Sequence, residues 1–263
     1  MRAGKAGLIG HPVEHSLSPA LFELIARREG ADVRYVLLDV EPHGLGNAAA
    51  HARGAGFAGL NITIPHKEAA LKLARSLSRE AEEIGAVNVL RFGRKGTKGC
   101  NTDGPAVLDC LAGYRLSGKS AVVFGAGGAA RAVCWALGKA GARSVAVRAR
   151  RSARAGILVS HFKRMFPKTS FTTGTCASAD LWFNATPASF RFQWTGKIAM
   201  DLVYKPAQTV FLRTAAARGL RRVYGLDMLI AQAVRSWELL FSRLSDKANL
   251  RLSLKRRLWR SVT

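Results

Sequence analysis

The sequence predicts an α/β protein of two α/β domains, on three observations. Apolar strand-like runs alternate with helix-like stretches of about ten residues, the spacing of βαβ units and a mostly parallel sheet. The alternation occurs twice, once up to about residue 103 and again from Lys119. The second series carries a glycine-rich turn between strand and helix at Gly125. A chain of 263 residues has room for two such domains, each able to bury a core.

In order, residues 6–10 (Ala-Gly-Leu-Ile-Gly) form a short buried strand that ends in a turn at His11-Pro12. Ser18-Pro19 opens a helix to about Arg28, with Pro in the first turn, where its missing N–H is tolerated. Residues 33–38 are strand-like, 44–53 helical, 59–63 strand-like and 67–76 helical. Residues 86–91 and 97–101 flank Gly93-Arg94-Lys95-Gly96 and predict a hairpin. The second series runs strand 121–124, helix 129–140, strand 144–147, helix 153–164, then strands 181–184 and 198–203. From Met228 to about Leu244, apolar residues at 229, 230, 233, 234, 237, 240, 241 and 244 keep helical spacing. A C-terminal helix within 228–263 is long enough to cross back and complete the first domain, 1–103, leaving 104–227 as the second.

Lys plus Arg is 41 and Asp plus Glu 17, a formal net charge of +24. With 48% apolar residues the chain is not a disordered polyelectrolyte, since disorder needs low hydrophobicity as well as high charge. No apolar run is long enough to span a membrane, and the N-terminus lacks a secretory pattern, so a cytoplasmic protein is expected. Cysteines at 100, 110, 134 and 176 include no C-x-x-C pair, so reduced thiols are expected and no metal site. Residues 110–179 contain no Asp or Glu but twelve Lys or Arg, and a second basic cluster occupies 247–260. Such basicity suits a nucleic-acid binder, whose aromatics would interleave with the cations. None does in 148–154, and only Trp259 sits in the tail cluster, so nucleic acid is not the expected partner.

Residues 121–124 lead into Gly125-Ala126-Gly127-Gly128-Ala129-Ala130, a G-x-G-x-x-A pattern. Gly125 permits the tight turn, Gly127 lets backbone approach a pyrophosphate, and Ala130 lets helix pack on strand. This marks the second domain as a Rossmann-type dinucleotide-binding domain. An NAD site would place a carboxylate on the ribose about twenty residues later. Here the chain reads Arg148-Ala149-Arg150-Arg151-Ser152-Ala153-Arg154, with no acid, and guanidinium groups suit a 2′-phosphate. NADP is therefore the expected cofactor, although part of this basicity belongs to the whole segment.

The stretch 7–19, Gly-Leu-Ile-Gly-His-Pro-Val-Glu-His-Ser-Leu-Ser-Pro, resembles the opening motif of the shikimate dehydrogenases. Further matches follow in the family's order: Asn61-Ile62-Thr63-Ile64-Pro65-His66-Lys67, Gly85-Ala86-Val87-Asn88 and Asn101-Thr102-Asp103-Gly104. After the glycine turn come Asn184-Ala185-Thr186-Pro187, 201–206 (Asp-Leu-Val-Tyr-Lys-Pro) and 225–233 (Gly-Leu-Asp-Met-Leu-Ile-Ala-Gln-Ala). The resemblance implies an N-terminal substrate-binding domain, a C-terminal NADP-binding domain and a cleft between them. It implies reversible reduction of 3-dehydroshikimate to shikimate, a small-molecule partner, and a monomer or homodimer.

Residue by residue, the resemblance gives Ser16, Ser18 and Tyr204 to the substrate carboxylate, and Asn61, Thr63, Asn88 and Gln232 to the remaining substrate contacts. Two hydroxyls entering a helix suit a carboxylate, although Ser18 taken alone is more often only an N-cap, and an isolated Asn in a turn is normally just turn chemistry. Lys67 and Asp103 take the proton-handling roles, since oxidising an alcohol needs a group to accept its proton. Cofactor contacts fall on Gly125, Ala126, Gly127, Gly128, Ala129, Arg150, Arg151, Arg154, Ala185, Thr186, Gly225 and Met228.

Four places depart from the family. Ala149-Arg150-Arg151 stands where Asn-Arg-Thr is usual, Val89 stands where Thr is frequent, Ala188-Ser189-Phe190 follows Pro187, and the tail 255–260 has no assigned counterpart. A quinate/shikimate or aminoshikimate relative remains the enzymatic alternative, to be separated at Ser16 and Ser18. A nucleic-acid binder on the same scaffold is the alternative from another class.

Overall fold

The computed structural model describes residues 4–174, 178–188 and 195–263. The chain forms two compact units, Met1–Thr102 with Ile230–Leu254 and Asp103–Leu229 with Lys255–Thr263.

In the first unit, β1 (Gly4–Gly10), α1 (Ser18–Glu29), β2 (Val33–Asp39), α2 (Leu45–Gly54) and β3 (Gly59–Ile62) follow the predicted alternation. Then come β4 (Ser76–Leu77), α3 (Arg79–Ile84), β5 (Val89–Gly93) and β6 (Gly96–Cys100). The sheet order is β2-β1-β3-β5-β6-β4. β1 pairs in parallel with both neighbours, whereas β5 runs antiparallel to β3 and β6. The predicted hairpin is β5–β6, but β5 starts at Val89 rather than at residue 86. Asn88 bends the chain there, its N–H donating to Cys100 O at 3.0 Å. Ile9, Leu60, Ile62, Val87 and Leu90 centre the core beneath α2.

Two expectations are corrected. No α-helix covers 67–76: a turn at Lys67-Glu68 leads into a 3₁₀ helix, Ala69–Leu73. The sheet edge takes the remainder, with the Arg75 N–H donating to Thr97 O at 2.8 Å and Ser76 aligned with Lys98. Residues 228–263, expected to join the first domain as one element, form two helices, α8 (Gly225–Leu240) and α9 (Lys247–Trp259). Asp246 starts the second by accepting the Asn249 N–H at 3.1 Å, and residues 255–263 belong to the second unit.

In the second unit come α4 (Asp103–Cys110), β7 (Ser120–Phe124), α5 (Gly128–Lys139), β8 (Ser144–Arg148), α6 (Ser152–Met165) and β9 (Ser170–Thr173). β10 (Leu181–Asn184), β11 (Ile198–Asp201), α7 (Val210–Ala217) and β12 (Arg221–Val223) complete it before α8. α4, α7, β9 and β12 are too short to show in the apolar periodicity. The sheet, β12-β11-β10-β7-β8-β9, is parallel throughout, with the order reversal between β7 and β10 that marks a dinucleotide-binding fold. Its central strands are apolar because both faces are covered, Trp182 packing with Phe124 and Phe211, and Phe162 with Phe171. Cys100 and Cys134 are free and buried, and Cys110 is half-buried; Cys176 lies outside the described residues.

β11 ends at Asp201, fully buried, whose Oδ1 accepts from Asn184 Nδ2 at 3.0 Å and from the Val203 N–H at 3.0 Å. Burial raises its carboxyl above the ordinary range, opposed first by the hydrogen bond from Thr209. That hydroxyl donates to Asp201 Oδ2 at 2.6 Å and also caps α7 by accepting the Leu212 N–H at 3.2 Å. Thr209→Ala removes the cap and strips a buried carboxylate of a donor, so urea unfolding is expected to show a loss of about 2 kcal/mol. An unchanged midpoint would refute this.

Candidate active site

Four of the substrate residues expected in the first unit, Ser16, Ser18, Asn61 and Asn88, gather along one largely buried hydrogen-bonded chain. Ser18 is the first residue of α1, and Leu17 holds the cap position without a side-chain bond, so the N-cap reading of Ser18 does not apply. The Ser16 hydroxyl instead donates to Ser18 Oγ at 3.1 Å and accepts the Ser18 N–H at 3.2 Å. Ser18 also hydrogen-bonds the Tyr35 phenol, whose pKa burial drives above its ordinary value, so the group stays protonated. The Tyr35 hydroxyl donates to Asn61 Oδ1 at 2.9 Å. Asn61 Nδ2 donates to Ser236 Oγ at 2.9 Å, and that oxygen lies 3.2 Å from Thr102 Oγ1. Asn88 closes the chain, donating through Nδ2 to Thr102 Oγ1 at 2.8 Å and accepting the Thr102 N–H at 2.7 Å.

Asn61, Asn88, Thr102 and Ser236 are each 5% exposed or less, and Asn61 lies within β3, which sets aside the turn reading. Tyr35, Thr102 and Ser236 are structural members of this chain that the sequence reading missed. A lone Tyr in a strand and a lone Ser in a helix look ordinary. The available signal was Ser236 following Gln232 by four residues, one turn along the same face of α8. Gln232 itself is half-buried.

Lys67 stands in a rigid turn rather than in the first turn of a helix. Its carbonyl accepts the Val87 N–H at 2.8 Å, while the Thr63 N–H donates to Ile9 O at 2.8 Å and the His66 N–H to Thr63 O at 2.8 Å. His66, 1% exposed, holds Val40 O at 2.6 Å through Nε2. The segment 63–67 is thereby clamped against the ends of β1 and β2. Val87 thus anchors Lys67, and the next residue, Asn88, anchors Thr102, which immediately precedes Asp103. Asp103 opens α4 and is 2% exposed. Tyr204 belongs to the second unit, half-buried in the loop after β11.

In the second unit the glycine turn lies where strand order reverses. Gly125 has φ +118° and its N–H donates to Arg148 O at 2.8 Å; a Cβ there would come within 2.8 Å of Ala185 O. Ala185 and Thr186 thus meet the turn directly. Asn184 shapes their loop, its Oδ1 accepting from the Thr186 hydroxyl at 2.7 Å and the Thr186 N–H at 3.1 Å. Ser189 and Phe190 lie outside the described residues. Gly127, capping α5 in extended conformation, has nothing within 4 Å of a Cβ position, whereas Ala130 is fully buried.

Open space at the N-terminus of α5 fits a pyrophosphate held by backbone N–H groups and the helix dipole. Beyond the neighbouring strand, Arg150, Arg151 and Arg154 are all exposed, in a segment without carboxylates, which fits a 2′-phosphate. Gly225 admits no side chain because a Cβ would collide with the Val203 carbonyl. This explains the glycine by packing, while Met228 is 7% exposed. A separate hollow of about 570 Å³ opens where β7, β10, β11 and β12 begin, with Arg115, Lys119, Lys197 and Arg221 on its walls. Nucleotides bind beyond the carboxyl ends of such strands, so this hollow is not the dinucleotide site.

Among the described residues, no helix is long and apolar enough to cross a membrane. The family model for the shikimate dehydrogenase substrate binding domain matches residues 8–90. The chain is 38% identical to the NADP(+) shikimate dehydrogenase of Methanopyrus kandleri, over 89% of this chain and 88% of that one. Identity is 39% to that of Mesorhizobium japonicum, over 89% of each. The structure is similar to shikimate 5-dehydrogenase of Thermus thermophilus in complex with NADP(H) and shikimate, with TM-score 0.85, 35% identity and coverage of 96% and 99%. It is equally similar, at TM-score 0.85 and 28% identity, to the 5-ketofructose reductase of a Gluconobacter species, covering 98% of this chain and 99% of that one. With two dehydrogenase sequences alike across nearly nine-tenths of its length, and with the motifs of both units in place, the chain belongs to the shikimate dehydrogenase family.

Proposed function

We infer that this chain is an NADP-dependent shikimate dehydrogenase, interconverting 3-dehydroshikimate plus NADPH with shikimate plus NADP⁺. The observation that carries the reading is the buried chain of hydroxyls and amides from Ser16 to Asn88. Four of its members, Ser16, Ser18, Asn61 and Asn88, are residues that family resemblance gives to a polyhydroxylated carboxylic acid. Bound NADP supplies the hydride chemistry at the alcohol carbon.

The chain's own residues bind, orient and handle the proton. Ser16 and Ser18 offer two hydroxyls to the substrate carboxylate, with Tyr204 as a third donor. Asn61, Thr63, Asn88 and Gln232 donate to and accept from ring hydroxyls. Hydrogen bonds to Tyr35, Ser236 and Thr102 fix the rotamers of Asn61 and Asn88 before substrate arrives, which lowers the ordering cost of binding. Lys67 takes the alcohol proton during oxidation and returns one during reduction, and Asp103 orients the lysine and the neighbouring hydroxyl. The clamped turn around Lys67 supports this role because a proton carrier must be held close to its target geometry. Gly125 to Ala129 cradle the pyrophosphate, Ala185, Thr186, Gly225 and Met228 line the rest of the cofactor, and Arg150, Arg151 and Arg154 hold the 2′-phosphate.

Lys67→Ala is expected to lower kcat by about two orders of magnitude or more, with shikimate affinity nearly unchanged. Turnover close to wild type would remove the assigned role. Arg150→Ala combined with Arg154→Ala is expected to abolish most of a strong preference for NADPH over NADH. Equal kcat/KM for the two cofactors in the wild-type protein would overturn the 2′-phosphate assignment. Following NADP⁺ reduction in parallel with shikimate and quinate tests the substrate, and faster quinate oxidation would move the chain to the quinate/shikimate branch.

A further inference from the structure

The basic C-terminal stretch takes no part in the chemistry above, yet its contacts converge on residues that do. Lys255 Nζ lies 2.6 Å from Asp227 Oδ1. The same ammonium stands 5.6 Å from the centre of the Tyr224 ring and 5.8 Å from that of Trp259. The two rings meet edge to face, 5.0 Å apart, so Lys255 is held by a carboxylate and two aromatic faces at once. Asp227 and Tyr224 bracket Gly225 and define the first turn of α8, the Asp227 N–H donating to Tyr224 O at 2.9 Å.

Farther along, the Val262 carbonyl accepts the Ala207 N–H at 2.6 Å, and Leu258 and Val262 are buried. The tail therefore grips two segments of its own unit: the start of α8, with Gly225 and Met228, and the loop after β11, with Tyr204. Gly225 packs against the Val203 backbone between the two grips.

We propose that Lys255 is a positioning residue for the dinucleotide, and that residues 255–263 are a strut holding the segments 203–207 and 224–228 in their binding conformation. This rests on the assignment of Gly225 and Met228 to the cofactor. The pair has a second, electrostatic consequence. Asp227 puts a carboxylate beside a site for an anionic ligand, and Lys255 neutralises it. Removing the lysine alone loosens the strut and also exposes that charge; removing both charges restores the electrostatic balance and leaves only the loosening. Lys255→Met keeps the apolar stem of the side chain over the rings, so the helix itself is expected to remain folded.

The test is calorimetric titration of NADP⁺ into wild-type protein, Lys255→Met, Lys255→Arg, Asp227→Asn and the Lys255→Met/Asp227→Asn double variant, with melting temperatures and steady-state kinetics alongside. The pair is part-exposed, so Lys255→Met is expected to weaken NADP⁺ binding by about three- to tenfold, with KM for shikimate within about twofold of wild type. Lys255→Arg should restore most of the affinity, and the double variant should bind more tightly than Lys255→Met. Unchanged NADP⁺ affinity in Lys255→Met overturns the proposal. So does equal weakening toward NADP⁺ and shikimate that simply follows a lowered melting temperature. If wild-type protein binds NADP⁺ but does not oxidise shikimate, the substrate reading fails while the strut is still decided by the titrations. If wild-type protein does not bind NADP⁺, both fall.

Discussion

The two hydrogen bonds between Asn88 and Thr102 are the constraint on which the candidate site depends. An amide buried this deeply must satisfy its donor and its acceptor inside the protein, because water cannot reach it. Asn88 does so by holding one residue through both backbone and side chain. That residue immediately precedes Asp103, while the residue before Asn88 holds Lys67. Pairing this amide thus fixes the residue before Asp103, and the neighbouring Val87 N–H fixes the backbone at Lys67. The same requirement passes outward from Thr102 through Ser236 and Asn61 to Tyr35 and Ser18. A polar chain of this kind rigidifies a core when every member is satisfied and weakens it when one is not.

The second unit depends on a different constraint, the close approach of backbone to backbone. Where strand order reverses, the ends of β7 and β10 come so near that only glycine fits at 125. Beside it a Cβ at Gly127 would meet nothing within 4 Å. The pyrophosphate position proposed above lies at this topological crossing, and the proposed selection of the nucleotide lies after the next strand. There the arginines are exposed, in the stretch 148–154 that itself contains no Asp or Glu.

Most of the +24 charge is exposed and shapes solubility and the approach of anions rather than any single contact. A few cations have defined positions. The arginines after β8 are expected at the 2′-phosphate, and Lys255 is engaged by Asp227 and two rings. The hollow at the amino ends of the strands of the second sheet gathers others around Asp180. That carboxyl is held below its usual range chiefly by the Ser120 N–H, which donates at 3.0 Å.

Local signals carried much of this protein. Alternating periods placed β1, α1, β2, β3, β7, α5, β8, α6 and β10 to within a few residues, because each buries a face whose repeat is written in adjacent positions. The glycine turn and the missing acid pointed to NADP for the same reason: both are properties of short contiguous stretches. The sequence did not reveal the 3₁₀ turn after Lys67, where a sheet edge captures a segment that otherwise reads as helix. Nor did it reveal the break at 241–246 or the tail's membership in the second unit. Only the tertiary structure decided the partners of the polar groups, such as Asn61 with Ser236, 175 residues apart, and Lys255 with Asp227. A hydrogen bond or ion pair between distant residues is set by how the chain returns on itself, and no spacing within the sequence records that.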